Sequence, residues 1–119
     1  MFITRRDEAR PYSAEKHHGM SAFRLQGHDA SPAELLWVGL SLFLPGGGAD
    51  KAASAAEKIY VVLEGEITVV TPSGEATLGP LDSVLIQANE ERAVENRSAQ
   101  LGLRRLVRAH SIESDVYQH

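Results

Sequence analysis

The stretch Glu57-Lys58-Ile59-Tyr60-Val61-Val62-Leu63-Glu64-Gly65-Glu66 decides the fold. It is rich in β-branched and aromatic residues and ends at a glycine turn, so it reads as a strand. Side chains alternate along a strand. Lys58, Tyr60 and Val62 therefore share one face, and Glu57, Ile59, Val61 and Leu63 share the other. Neither face is uniformly polar. This predicts cover on both sides and places Lys58 where a charge is costly.

Downstream, turn signals recur at short, regular intervals. The strand is expected to run on to Val70, and Thr71-Pro72-Ser73-Gly74 has the proline and glycine spacing of a β-turn. Short strands follow over Glu75 to Leu78, Ser83 to Gln87 and Arg92 to Asn96, with a longer one over Leu101 to Ala109. Upstream, Leu35 to Leu44 (LLWVGLSLFL) is apolar throughout and reads as a buried strand halted by Pro45-Gly46-Gly47-Gly48. Phe2 to Thr4 is expected as an edge strand, Arg5 to Gly19 as an irregular lead-in, and Gly19 to Gly27 as a weak strand. Ser31-Pro32 is expected to open one helical turn. The polar tail from His110 to His119 either frays or pairs with a neighbour. Residues 1–34 are thus lead-in, 35–109 the core and 110–119 the tail of one domain. Many short strands at even spacing define an all-β antiparallel barrel or sandwich.

With 119 residues there is room for one domain with a real core. Apolar content of 43% and charged content of 24% describe a globular chain. A net charge of −4 with no basic block argues against nucleic acid. There is no cysteine, which excludes disulfides and thiolate metal sites. No apolar run approaches the roughly 20 residues of a membrane span, and no signal peptide is visible. The expectation is a cytoplasmic protein with neither membrane nor nucleic-acid partners.

Pro45-Gly46, Lys58 to Glu66, Gly74-Glu75, Asp82-Ser83-Val84-Leu85-Ile86 and Asn96, in this order, resemble the cupin superfamily of jelly-roll barrels. The likeness covers Trp37 to Val107, about two thirds of the chain. It implies an antiparallel jelly-roll barrel with a pocket inside. Anchored on Gly65, the first cupin motif puts its glutamate position at Lys58 and its histidine positions at Ala52 and Ser54. Anchored on Asp82, Ile86 and Asn96, the second motif puts its histidine position at Arg92 and its proline position at Gln87. All four metal-ligand positions of a typical cupin are thereby replaced, two of them by cations. Neutral imidazoles and carboxylates hold a divalent metal, so neither metal nor cofactor is expected here.

Lys58 and Arg92 inside one barrel need an anion to compensate them. Either the anion is a ligand, or it is an internal carboxylate, with Glu57, Glu64, Glu66, Glu95 and Asp82 the candidates. On the first alternative Arg92 clamps a carboxylate and Lys58 is a catalytic base. Tyr60, on the face of Lys58, is a hydrogen-bond donor to a developing oxyanion. Ser54, Trp37, Ser41, Arg24 and Gln87 complete the expected substrate contacts. Trp37 and Phe43 share a face with Gly39 and Ser41, and pack either as core or as a flat wall with room beside it. The function this suggests is a metal-independent lyase or isomerase for a small anionic carboxylate or phenolic substrate. The rivals are a non-catalytic metabolite-binding or accessory cupin, and a metal cupin oxygenase with ligands displaced to His17, His18 or His28. Small cupins commonly pair, so a homodimer is expected, through the N-terminal segment or the Leu101 to Ala109 strand.

Overall fold

The computed structural model describes residues 1–114. Nine strands form one antiparallel sheet among the described residues, rolled into a nearly closed barrel of jelly-roll type. They are β1 (Arg10–Tyr12), β2 (His17–Gln26), β3 (Leu36–Ala52), β4 (Lys58–Glu64), β5 (Ile67–Thr71), β6 (Gly74–Leu78), β7 (Ser83–Ile86), β8 (Arg92–Glu95) and β9 (Val107–Ser114). Across the sheet they run β6-β5-β8-β3-β9-β4-β7, while β2 pairs with both β1 and β3.

β4 presents its inner face as the alternation predicts. Val62 is fully buried, and Lys58 and Tyr60 are partly buried on the same side. The outer face differs from the expectation. Ile59 is 38% exposed, and Leu85, its neighbour in register on β7, is 48% exposed. Among the described residues no element covers this face. The strand is also shorter than predicted, because the chain turns at Gly65 with φ 81° before β5 begins.

β3 is longer than predicted, and the glycine run does not stop it. A Cβ on Gly48 would lie 2.1 Å from the Val94 carbonyl oxygen, so glycine lets β3 continue against β8. The first half of β3 pairs with β9 over Leu36 to Phe43, and its second half pairs with β8. This one bent strand therefore joins the two halves of the barrel. The apolar run within it is half-buried. Gly39, Ser41 and Phe43 face in, while Leu36 and Leu44 are exposed.

The lead-in departs further from expectation. Phe2 to Thr4 is not a strand, and β1 lies within the segment read as irregular. No helical turn forms at Ser31, whose Oγ accepts a hydrogen bond from the Gly27 amide at 2.8 Å. Leu101 to Leu106 is loop, and the last strand is β9, which takes in the first half of the polar tail. Residues 115–119 of that tail lie outside the described residues. Phe43, Ala49, Val62, Ile67, Val69, Ile86, Val94 and Val107 form the core that fills the middle of the barrel.

One end of the barrel is fastened by Asn96. Its Nδ2 donates to the carbonyls of Phe43 (2.9 Å) and Arg105 (2.8 Å), and its Oδ1 accepts from the Ser98 amide (3.1 Å). The opposite end opens into a cavity.

Candidate functional site

The cavity has a volume of about 480 Å³ and is walled by inward-facing residues of β2, β3, β4, β8 and β9. Alternation selects its lining. Trp37 and Ser41 come from β3, Lys58 and Tyr60 from β4, Arg92 from β8, and Ser111 and Glu113 from β9. A small recess beside it is lined by Ala52, Ser54, Lys58 and Arg92 together. The four positions assigned to the metal-binding motif therefore do converge. Two alanine or serine side chains and two cations offer nothing to a divalent metal. Among the described residues no group of three or more His, Asp or Glu side chains is arranged to hold a metal ion.

Lys58 has an internal partner that the sequence reading did not name. Lys58 and Glu113 are opposite one another in the β4–β9 register, and Lys58 Nζ lies 2.8 Å from Glu113 Oε1. Both side chains are mostly buried, at 16% and 13% exposure. None of Glu57, Glu64, Glu66, Glu95 and Asp82 fills this role. Lys58 and Glu113 thus form a mostly buried ion pair at the wall of the cavity.

Arg92 is held differently. It is 5% exposed, its Nε donates to Tyr60 Oη at 2.9 Å, and its Nη1 donates to the Asp50 carbonyl at 3.2 Å. Both partners are neutral, and no carboxylate among the described residues pairs with it. Tyr60 is thus committed to orienting Arg92. The lining carries four cations (Lys16, Arg24, Lys58, Arg92) and two carboxylates (Glu15, Glu113).

Arg24 does join the cavity. Its guanidinium carbon sits 4.2 Å from the centroid of the Tyr12 ring and 5.0 Å from that of Trp37, and its Nε faces Asp29 at 3.5 Å. Stacking on two aromatic rings holds a guanidinium in place. Arg24 Nη1 is buried with no hydrogen-bond partner among the described residues. The room expected beside Trp37 is partly filled. A Cβ on Gly39 would lie 3.0 Å from Trp37 Cζ3 and 3.2 Å from both Tyr12 Oη and Ser111 Oγ. Tyr12, from the segment read as irregular, occupies that space edge-on to Trp37, and His28 packs against the indole from another side. Burial raises the Tyr12 phenol to about 12, against the pull of Arg24.

Ser54 lines the cavity but spends its hydroxyl locally, bonding to the backbone of Ala56. Gln87 is not at the site. It is exposed in the turn after β7, where its amide donates to Glu90 Oε1 at 3.0 Å. The adjacent histidines split as a strand requires. His17 lines the cavity, whereas His18 points outward to Asp50 at 3.4 Å. They do not converge on a displaced metal centre. Burial lowers the His17 imidazole below its ordinary value, and Arg92 and Lys58 push in the same direction, opposed by the bond to the Glu15 carbonyl and by Glu113.

Glu113 and Tyr12 line the cavity without having been singled out in the sequence, and His17, expected there only as a displaced metal ligand, lines it too. For Glu113 the signal was there. Val107, Ala109, Ser111 and Glu113 alternate with period two and all face inward.

No protein-family model matches the chain. Its barrel is similar to the polyketide cyclase RemF from Streptomyces resistomycificus, at 16% identity and a TM-score of 0.80 over 96% of this chain and 79% of that one. It is also similar to an RmlC-like cupin from Shewanella frigidimarina, at 13% identity and a TM-score of 0.76, covering 96% and 90%. KdgF from Halomonas sp. matches at 15% identity and 0.75, covering 96% and 94%. These likenesses and the rolled sheet show a cupin-type jelly-roll fold. The chain belongs to the same family as a mycobacterial protein to which it is 42% identical over 112 residues. That relative is named Beta-D-galactosidase Rv1717, from Mycobacterium tuberculosis, and the match spans 94% of this chain and 97% of it.

Proposed function

We propose that this protein is a small-molecule cupin enzyme that takes a small sugar into the barrel cavity and cleaves a β-galactoside. The observation that carries the reading is Glu113, a mostly buried carboxylate fixed by Lys58 in a cavity that also presents Arg92, Tyr60, His17 and Trp37. Glycoside cleavage builds positive charge on the anomeric carbon, which a fixed carboxylate stabilises, while a second group protonates the leaving oxygen. Glu113 takes the first role. Glu15, the solvent-exposed carboxylate of the lining, takes the second. Arg92 and Lys58 donate to sugar hydroxyls. The name of the mycobacterial relative supports the choice of substrate. The test is hydrolysis of 4-nitrophenyl β-D-galactoside in the presence of a chelator, beside the α-anomer and the β-glucoside. Selective release from the β-galactoside supports the reading, and no release from any of the three defeats it.

A second reading keeps the same cavity and changes the substrate. The buried guanidinium of Arg92 has neutral partners only, which favours a substrate with its own anionic group, acted on by metal-independent lyase or isomerase chemistry. Arg92 would clamp a carboxylate and Lys58 would stabilise the developing oxyanion, as donor and not as base. A thermal-shift panel of small hydroxy and keto acids against neutral sugars separates the two readings. Saturable binding with no product from any ligand would leave a metabolite-binding cupin.

The partner we propose is a second copy of this chain, docked on the outer face of β4 and β7, where Ile59 and Leu85 are exposed side by side. Light scattering at micromolar concentration should give the mass of a dimer. A monomer mass counts against this.

A further inference from the structure

We infer that His17 is the general base of the site and deprotonates the attacking water. The inference rests on the galactoside reading and assigns a role that the sequence did not suggest. His17 opens β2 at the cavity and sits in register with Ala49, so its ring lines the same space as Glu113, Lys58 and Arg92. Its Nδ1 lies 2.6 Å from the Glu15 carbonyl oxygen. A carbonyl only accepts, so Nδ1 carries the proton and Nε2 is left with the lone pair. The backbone thereby fixes both the tautomer and the ring.

The surroundings keep that lone pair available. Burial is the main cause: it favours the neutral ring, Arg92 on β8 and Lys58 on β4 oppose a further positive charge, the Glu15 carbonyl and Glu113 on β9 favour one, and the imidazole is held below its ordinary value. Lys16 and Glu15, its neighbours in sequence, also line the cavity. A neutral imidazole at pH 7 is what a base requires.

The step balances as an ordinary hydrolysis. Water loses a proton to His17 Nε2 as its oxygen bonds to the anomeric carbon. The bond from that carbon to the leaving oxygen breaks, and the leaving oxygen takes a proton from Glu15. Glu113 carries no covalent bond and faces the positive charge. A base that activates water on the face opposite the leaving group inverts the anomeric centre. The first product of a β-galactoside should therefore be α-galactose.

The experiment has three arms. Proton NMR of the first product should show the α-anomer. Replacement of His17 by glutamine, which cannot take up the proton, should lower kcat/KM by roughly 10²-fold or more and abolish the acid limb of its pH profile. His18→Ala, at the outward-facing neighbour, should change neither. Retained β-configuration, or a His17→Gln variant with wild-type rate and pH profile, overturns the inference. The third arm needs no turnover. In ¹⁵N-histidine spectra His17 should be protonated on Nδ1, and its Nε2 signal should move when galactose is added. If the wild type turns nothing over, the galactoside reading fails by itself. A His17 signal unmoved by galactose then removes His17 from the site as well.

Discussion

The two ends of the barrel are built from the same strands and solve opposite problems. At the closed end Asn96 is buried, and its side chain makes three hydrogen bonds to fixed backbone groups. Arg97 beside it reaches both Glu95 and Glu75. At the open end Arg92 is as deeply buried as a core residue yet has neutral partners only, and Arg24 keeps one nitrogen unbonded. Buried polar groups in folded proteins are normally satisfied. Among the described residues such spare capacity lies at the open end, which supports the proposal that a ligand binds there. The strand register makes the difference. Each inward position on β4, β8 and β9 steps from the apolar middle to a charged residue at the cavity: Lys58, Arg92 and Glu113.

Substitution should affect the two ends differently. The largest effect should come from Glu113→Gln. It keeps shape and one acceptor oxygen but loses the charge, and should lower kcat by roughly 10²- to 10⁴-fold; because it leaves the mostly buried Lys58 without its counter-charge, it should also lower the melting temperature, checked by steady-state kinetics and calorimetry together. Asn96→Ala should act on stability alone. It strands buried backbone groups and should cost about 3 kcal/mol of stability by urea denaturation, leaving kcat/KM of the folded fraction unchanged. Arg92→Met comes third. Sugar binding should weaken by about 10- to 100-fold, while stability stays level or rises by about 1 kcal/mol, since a buried charge without a counter-ion is a burden to the fold. If Arg92→Met destabilises as Asn96→Ala does, the two ends are alike and the contrast fails.

The smallest effect concerns pH. Because the folded protein holds His17 below its ordinary value of 6.5, the unfolded chain takes up the proton first as pH falls. Stability should therefore decline as pH drops below about 6.5, and the decline should end below the folded value, where both states are protonated. His17→Gln should flatten this part of the stability curve, and a melting series from pH 7.5 to 5 shows whether it does.

Much of the barrel was legible in the sequence, for reasons tied to particular residues. Lys58 to Leu63 alternates cleanly, and short strands separated by turn residues have few other ways to fold. The placement of Ala52, Ser54, Lys58 and Arg92 around one recess followed from the resemblance to the cupin motifs, anchored on Gly65, Asp82 and Asn96. What could not be read was pairing between distant segments. Leu101, Leu103 and Leu106 suggest a strand but lie in a loop outside the sheet, so the last strand was placed too early and Glu113 was left in a tail. The glycines at 46–48 read as a stop because turn formation and close strand approach both favour glycine, and only the Val94 carbonyl decides between them. Tyr12 follows Pro11 in a polar segment, and its place against Trp37 and Arg24 depends on β1 adding to β2. Gln87 was carried to the site by its motif position alone, and the turn after β7 points it away.

A crystal structure grown with galactose is the strongest test of whether a ligand completes the open end. The prediction is one sugar in the Trp37 cavity, with its oxygens within hydrogen-bond distance of Arg92 and Glu113. A sugar bound instead in the hollow of about 390 Å³ at the Asn96 end, beneath Leu101 and Leu103, or an empty cavity at saturating galactose, would contradict it.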